Sequence, residues 1–438
     1  MPLGDAEQIP TYVNVIDLAK GHDLTIASSS LWERIRFGFA MPDCASPLVA
    51  EHLAVYLNRP DYLVRMLDRS RRYLHHVVEE VEKRGMPTEI ALLPMIESAY
   101  NPVAHSSARA SGIWQFIPST GRSFGLDQNR WYDERRDVLQ ATDAALDYLE
   151  MLYEMFGSWD LALAAYNAGE GTVGRAISKN AAAGLPTDYR SLQLPAETRN
   201  YVPKLQAVKS LVASPERFGV SFADIPNQRY FTAVSTRRHM DAEAAARLAG
   251  ITLSEFLSLN PAYNRPVVMP DGDRQLLVPV ERADEFEANL ESNRDPLVTW
   301  QTYTVKRKDR VDRVAAQFGM ETGRLAEVNG LASGSRLKPG QTLLVQVRGR
   351  ATDRIYESTE SIANQLALAD QREANLMDSS SGSAPKGRTA AAKGGQSAKA
   401  VKGSQSRKLS TVAPARKSAA SRDTKAASKK TLLARAGR

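Results

Sequence analysis

The side chain best placed for chemistry is Glu97, in the stretch Ala91-Leu-Leu-Pro-Met-Ile-Glu-Ser-Ala-Tyr100. Thr88-Glu89 predicts a helix start and Asn101-Pro102 a helix stop, so Glu97 falls in the last turn of a short, mostly buried helix. Desolvation by the apolar neighbours and the negative end of the helix dipole both favour the neutral carboxyl there. A carboxylic acid held protonated near neutral pH can act as a general acid. Taken alone, the same residue also fits a structural carboxylate paired with an arginine at a helix end.

Polar residues in apolar settings recur downstream. Gln115 sits inside Gly112-Ile-Trp-Gln-Phe-Ile-Pro118, between Trp114 and Phe116, and a buried amide there must find partners. Ala165-Tyr-Asn-Ala-Gly169 ends a helical pattern, with Gly169 and Gly171 suited to a left-handed turn. Tyr166 and Asn167 then face whatever that turn borders, or serve as a packed tyrosine and a capping asparagine. Glu197 and Tyr201 open a last helical pattern that runs to Leu211.

The elements that must carry these residues are helical. Apolar residues recur at spacings of three and four from Glu51 to Arg84, which predicts a helix closed by Gly85-Met-Pro87. Further helices are predicted from Asp137 to Phe156, from Trp159 to Tyr166 and from Glu197 to Leu211, with a short turn leading to Gly125. No strand pattern occurs between residues 50 and 215, so this part reads as all-α. Residues 1–45 read as an irregular N-terminal extension, and 46–225 as one helical domain.

A different texture begins near Tyr230. Gly250 precedes Asn260 by ten residues, and Gly319 precedes Asn329 by the same ten. Each segment opens on a β-type run, Tyr230–Val234 or Tyr303–Val305, and closes on another, Leu276–Val278 or Leu343–Val345. The order strand, helix, helix, strand predicts a small α+β (βααβ) module present twice, at 226–282 and 301–347, joined by an acidic linker at 283–300.

The composition, 43% hydrophobic and 24% charged, is that of a globular chain. The net charge of +7 is unevenly spread. From Ser381 to Arg438 there are fifteen Lys/Arg against Asp423 alone, which leaves the remainder at −7. Residues 348–438 are therefore expected to be a low-complexity basic tail, disordered for want of apolar residues. Such a tail suits weak electrostatic binding to anionic polymers or membranes. Nucleic acid is not the expected partner, since no segment reads as a base-reading fold. With Cys44 alone no intrachain disulfide can form. No apolar run reaches transmembrane length, and no signal peptide is visible. Metal-ligand spacings are absent as well, so no cofactor is expected.

Glu97-Ser98, Gly112–Pro118, Ala165–Gly169 and Glu197 with Tyr201 occur in an order that resembles the family 1 lytic transglycosylases of bacterial cell walls. The resemblance spans roughly residues 50 to 347, and the small repeats within it resemble LysM modules. The second copy carries Tyr303-Thr-Val-Lys306, Leu325, Asn329-Gly-Leu331 and Leu337-Lys-Pro-Gly-Gln341, but has Lys308-Asp309-Arg310 where Gly-Asp-Thr is usual. The first copy lacks that opening motif and has a longer loop around Arg265-Pro266.

The resemblance implies a lysozyme-like catalytic domain that cleaves peptidoglycan glycan strands without water, at the β-1,4 bond between N-acetylmuramic acid and N-acetylglucosamine. Glu97 would be the single acid and base. Ser98, Gln115, Tyr166, Asn167, Glu197 and Tyr201 would line the cleft, and Asp309, Asn329 and Leu331 would bind glycan in the second LysM module. A water-using muramidase on the same fold would need a second carboxylate, for which Glu170 and Asp133 are the candidates. A non-catalytic wall-binding scaffold is the reading from another class. The implied substrate places the protein in the periplasm or cell envelope, with outer-membrane association.

Overall fold

The computed structural model describes residues 28–346, apart from 130, 237, 269–274 and 333. The tail expected at 348–438 and most of the expected N-terminal extension lie outside the described residues.

The first helix, α1 (Leu31–Phe37), falls within the stretch expected to be an irregular extension. Leu31 and Ile35 are fully buried in the main core, so this segment belongs to the helical body rather than to an irregular extension. The single helix expected over Glu51–Arg84 is instead three: α2 (Pro47–Leu57), α3 (Pro60–Ser70) and α4 (Leu74–Lys83). Pro60 causes the first break, because it lacks an N–H and pushes Arg59 out of helical geometry. Ser46 starts α2 by accepting from Leu48 N at 3.3 Å, with Pro47 in the first turn.

A 3₁₀ turn, Thr88–Leu92, feeds α5 (Leu93–Ser98). Glu89 in that turn is fully buried, and its carboxylate accepts from Met41 N at 2.9 Å and pairs with Lys209 at 3.2 Å. After α6 (Pro118–Ser123) comes α7 (Val138–Phe156). Asp137 caps α7 by accepting from Leu139 N and Gln140 N, and Gly157 ends it at φ 66°. Next comes α8 (Trp159–Ala168), whose apolar face is buried against α7, α9 (Glu170–Ala182) and α10 (Ala196–Ala213).

Sequence periodicity did not foresee α9. Gly171, expected in a left-handed turn, lies in its first turn, whereas Gly169 has the expected positive φ of 82°. Val173, with Ala176 and Ile177 packed beside it, anchors this helix in the core.

The second half contains two small α+β modules. In the first, β1 (Phe231–Val234) pairs antiparallel with β4 (Leu276–Pro279) around α11 (Ala242–Leu248) and α12 (Leu253–Leu259). A two-residue pair, β2 (Met240–Asp241) with β3 (Val267–Val268), is added to the expected βααβ order. The stretch expected to be a linker forms α13 (Ala283–Ser292), and its Phe286 is fully buried in the core of the first module. In the second module, β5 (Trp300–Thr304) pairs with β6 (Thr342–Gln346) around α14 (Val311–Phe318) and α15 (Thr322–Val328).

The ten-residue spacing of the two repeats has a structural counterpart. Asn260 Nδ2 donates to Phe256 O and Leu277 O while its Oδ1 accepts from Leu277 N at 2.9 Å. Asn329 does the same with Leu325 O, Leu344 O and Leu344 N, the last at 2.7 Å. Each buried amide ties the end of the second helix to the closing strand. Asn329, expected among the glycan-binding residues, is 4% exposed and serves as an internal clamp.

Candidate active site

Glu97 occupies the last turn of α5, half-buried, as its spacing implied. The chain then turns sharply, with Ala99 at φ 51° and Tyr100 at φ 54°. Two successive left-handed non-glycine residues are costly and must be held from outside. Tyr100 is fully buried, donates from its hydroxyl to Ala91 O at 2.7 Å, and stacks on Tyr73 at 6.2 Å between ring centroids. Ser98 Oγ faces inward and donates to Ile113 O at 2.9 Å, which joins the Glu97 turn to the Gln115 loop.

That loop is also strained. Gln115 has φ 52°, and its Nε2 donates to Gly112 O at 2.8 Å. Gly112, at φ 83°, is pressed so closely on the loop before α7 that an added Cβ would lie 2.0 Å from Arg135 O. Arg135 is buried and donates to Arg109 O at 2.7 Å and Phe116 O at 3.1 Å, on either side of Gln115. Its charge is balanced by Asp133 at 2.7 Å.

The opposite wall comes from α8 and α10. The Tyr201 hydroxyl donates to Glu97 Oε1. Tyr166 donates to Trp114 O at 2.9 Å, which ties α8 to the Gln115 loop. Burial first, and the Glu97 charge second, hold both phenols well above the ordinary tyrosine range. Both therefore remain protonated donors beside the carboxyl.

Asn167 accepts at Oδ1 from Thr198 Oγ1 at 2.8 Å. Thr198 is 1% exposed, and its carbonyl accepts from Tyr189 at 2.7 Å. Sequence reasoning passed over Thr198, although it precedes Tyr201 by three residues on α10 and so shares its face. Arg135 was missed too, because nothing local marks an arginine that will bond distant carbonyls.

The structure thus pairs Glu97 with Tyr201, ties Ser98 and Tyr166 to carbonyls of the loop that carries Gln115, and bonds Asn167 to Thr198 on the helix of Tyr201. Glu197 is exposed in the first turn of α10 and reaches these residues only as a minor electrostatic influence on Tyr201. The two carboxylates weighed as a second acid are otherwise engaged: Asp133 pairs with Arg135, and Glu170 accepts from the Tyr148 hydroxyl at 3.0 Å. In the second module, Asp309 accepts from Lys306 N and from the Tyr303 hydroxyl, both at 2.7 Å, and Leu331 is half-buried.

Residues 78–185 match the Transglycosylase SLT domain family, 230–295 the LysM-like domain of lytic transglycosylase MltD, and 303–346 the LysM domain family. The second match takes in α13, in keeping with its buried Phe286. Membrane-bound lytic murein transglycosylase D of Escherichia coli (strain K12) is 36% identical over 352 residues, which cover 78% of this chain and 77% of that protein. A putative tributyltin chloride resistance protein of Alteromonas sp. (strain M-1) is 49% identical over 111 residues, 25% of this chain and 54% of its own. A putative soluble lytic murein transglycosylase of Haemophilus influenzae is 35% identical over 116 residues, 25% of this chain and 19% of its own. With a transglycosylase domain followed by two LysM-type modules, and with 36% identity over 77% of the relative's length, the chain belongs to the family of membrane-bound lytic murein transglycosylase D.

Proposed function

We propose that the protein cleaves the β-1,4 bond between N-acetylmuramic acid and N-acetylglucosamine in peptidoglycan, with Glu97 as its single acid and base. The protonated carboxyl gives its proton to the glycosidic oxygen as the C1–O4 bond breaks. The muramoyl C6 hydroxyl then closes on C1, the carboxylate takes the hydroxyl proton, and a 1,6-anhydro ring results. Because the nucleophile belongs to the substrate, the pair of carboxyls used by hydrolytic glycosidases is not required.

The observation that carries this reading is the Tyr201 hydroxyl bonded to the half-buried Glu97 at the end of α5. This bond orients one oxygen of the carboxyl. The Asn167 amide supports a positioning role. With Oδ1 engaged by Thr198, its Nδ2 hydrogens are offered to a substrate acceptor such as an acetamido carbonyl. The second LysM module adds glycan affinity, and the substrate places the protein in the periplasm or cell envelope. The catalytic body under this reading runs from α1 to about residue 225. The basic tail beyond residue 378 would add salt-sensitive attraction to anionic wall polymers or membrane.

The test is mass spectrometry of muropeptides released from purified murein by the full chain and by Glu97→Gln. The substitution keeps shape and removes the transferable proton. Products lighter by one water than hydrolytic ones, present only with Glu97, are expected. Reducing-end products, or unchanged release by the variant, would overturn the assignment.

A further inference from the structure

The first LysM-like module meets the catalytic domain along β1, where Phe231 packs on His76 at 5.5 Å, and at two further places, through α12 and the segment after it, that back onto the candidate site. At the first of these, the hydroxyl of Tyr73, the residue just before α4, donates to Ser258 O, in the last turn of α12, at 2.7 Å. Tyr73 is the ring on which Tyr100 stacks, and Tyr100 is the left-handed residue two positions beyond Ser98. At the second, the segment after α12 runs antiparallel to the loop before α7. Asp133 N donates to Ala262 O at 2.9 Å, and Asn264 N donates to Trp131 O at 2.8 Å. Tyr132 packs edge-on against Tyr263 at 4.7 Å, and Arg136 donates to the Asn264 side chain. This is the loop whose Arg135 holds the carbonyls of Arg109 and Phe116 around Gln115.

These contacts continue into the core. Phe231, Leu259 and Leu277 of the module are buried in the same apolar cluster as α4 and α5. Val267, from the other edge of the module, is buried in the core of the second module. The first module therefore touches both the catalytic domain and the second module, with the turn after α12 facing the catalytic loops, whose Trp131 also packs on the second-module core.

From this geometry we infer that residues Ser258 to Asn264 of the first module are positioning residues of the transglycosylase site. They hold the Glu97 turn through Tyr73 and Tyr100, and the Gln115 loop through Asp133 to Arg136. The module acts on turnover and not as an independent glycan-binding unit, since its α12 turn is already occupied by protein. The inference rests on Glu97 as the catalytic residue, and it predicts an effect on kcat that leaves glycan affinity unchanged. A displacement of the supporting backbone is felt in the transition state, where reacting atoms must be aligned closely.

The experiment uses the full chain and two substitutions, Tyr73→Phe and Asn264→Ala, singly and together. Tyr73→Phe keeps the ring stack and removes only the hydrogen bond to Ser258 O, so the fold is retained. Initial rates of anhydro-muropeptide release from solubilised glycan strands give kcat and KM, and sedimentation with murein gives binding. Loss of one positioning hydrogen bond is expected to lower kcat about fivefold for each single variant, and further for the pair. KM and sedimentation should stay at wild-type values. Phe286→Leu, in the module core away from both contacts, serves as the stability control: it should lower Tm with kcat unchanged at an assay temperature well below Tm. Wild-type kcat in the folded double variant, or a loss of kcat that simply follows Tm across all variants, would overturn the inference. Failure of the wild-type chain to release anhydro products would instead sink the reading of Glu97.

Discussion

Replacing Gly112 by alanine is a sharp test of how the Gln115 loop is held. Gly112 has φ 83°, so any side chain there adds the ordinary left-handed penalty of about 1–2 kcal/mol. The larger effect is steric. The new Cβ would lie 2.0 Å from Arg135 O, and backbone on one side or the other must retreat by about 1 Å to relieve it. Arg135 cannot retreat freely. Its guanidinium is bonded to Arg109 O, Phe116 O and Asp133, and the next residue is bonded to Asn264. The loop must move instead, taking with it the Gln115 side chain that donates to Gly112 O and the Ile113 carbonyl that receives Ser98.

A displacement of that size near reacting atoms costs on the order of 100-fold in rate. Gly125→Ala is the matched control. Gly125 has φ 78° with nothing within 4 Å of an added Cβ, so it carries the strain without the clash. The assay is kcat for anhydro-muropeptide release, with Tm measured in parallel. Gly125→Ala is expected to lose a little stability and keep its rate, while Gly112→Ala loses both. A Gly112→Ala protein within threefold of wild-type kcat would refute the account of the loop.

Two further outcomes follow from buried polar groups. Asn329→Leu leaves Leu344 N, Leu344 O and Leu325 O without their amide partner, and should destabilise the second module by about 2–4 kcal/mol in urea denaturation. Loss of murein binding with no change in stability would instead make Asn329 a sugar contact. His75, buried beside Arg34, has its pKa lowered to about 4, first by burial and then by that guanidinium. A lowered histidine pKa stabilises the fold fully above the unfolded value of 6.5, and the stabilisation is lost as pH falls towards 4. The contribution is about 1–2 kcal/mol after discounting for solvent screening. The drop in Tm between pH 6.5 and 4 should be visibly smaller in His75→Gln, and an identical drop would count against it.

What was legible in the sequence was what is encoded locally. Glu97 at a helix end, the helix opening at Asp137, Gly169 at positive φ and the paired Gly–Asn spacing of the modules each leave a signal within a few residues. What escaped is encoded at a distance. α9 contains Gly171, Gly174 and Ser178, a poor helix composition that succeeds because Val173 is drawn into the core and Asn180 donates to Pro186 O and Ser191 O. α13 looked like a linker because one aromatic, Phe286, supplies its fully buried anchor among acidic residues. The docking of the first module runs largely through the carbonyls of Ser258, Ala262 and Trp131, and backbone acceptors have no sequence signature.

The distribution of backbone strain shows why such docking matters to this site. The non-glycine residues at positive φ among the described residues are Ala99, Tyr100, Arg109, Gln115 and Lys308. Four of them flank Glu97 or line the loop that carries Gln115. At about 1–2 kcal/mol each they cost roughly 4–8 kcal/mol, comparable to the net stability of a whole domain. Left to itself such backbone would relax, and the carboxyl of Glu97 would swing with it. Arg109 is held by Arg135 and Gln115 by Gly112, while Tyr100 is held by Ala91 and Tyr73. Arg135 and Tyr73 are in turn held in part by the first module. A wall-binding appendage would need none of this, whereas under the proposed mechanism a single carboxyl, which must face the leaving oxygen and then the C6 hydroxyl, needs to stay fixed through both steps. The strained turn and the module that braces it are two halves of the same requirement.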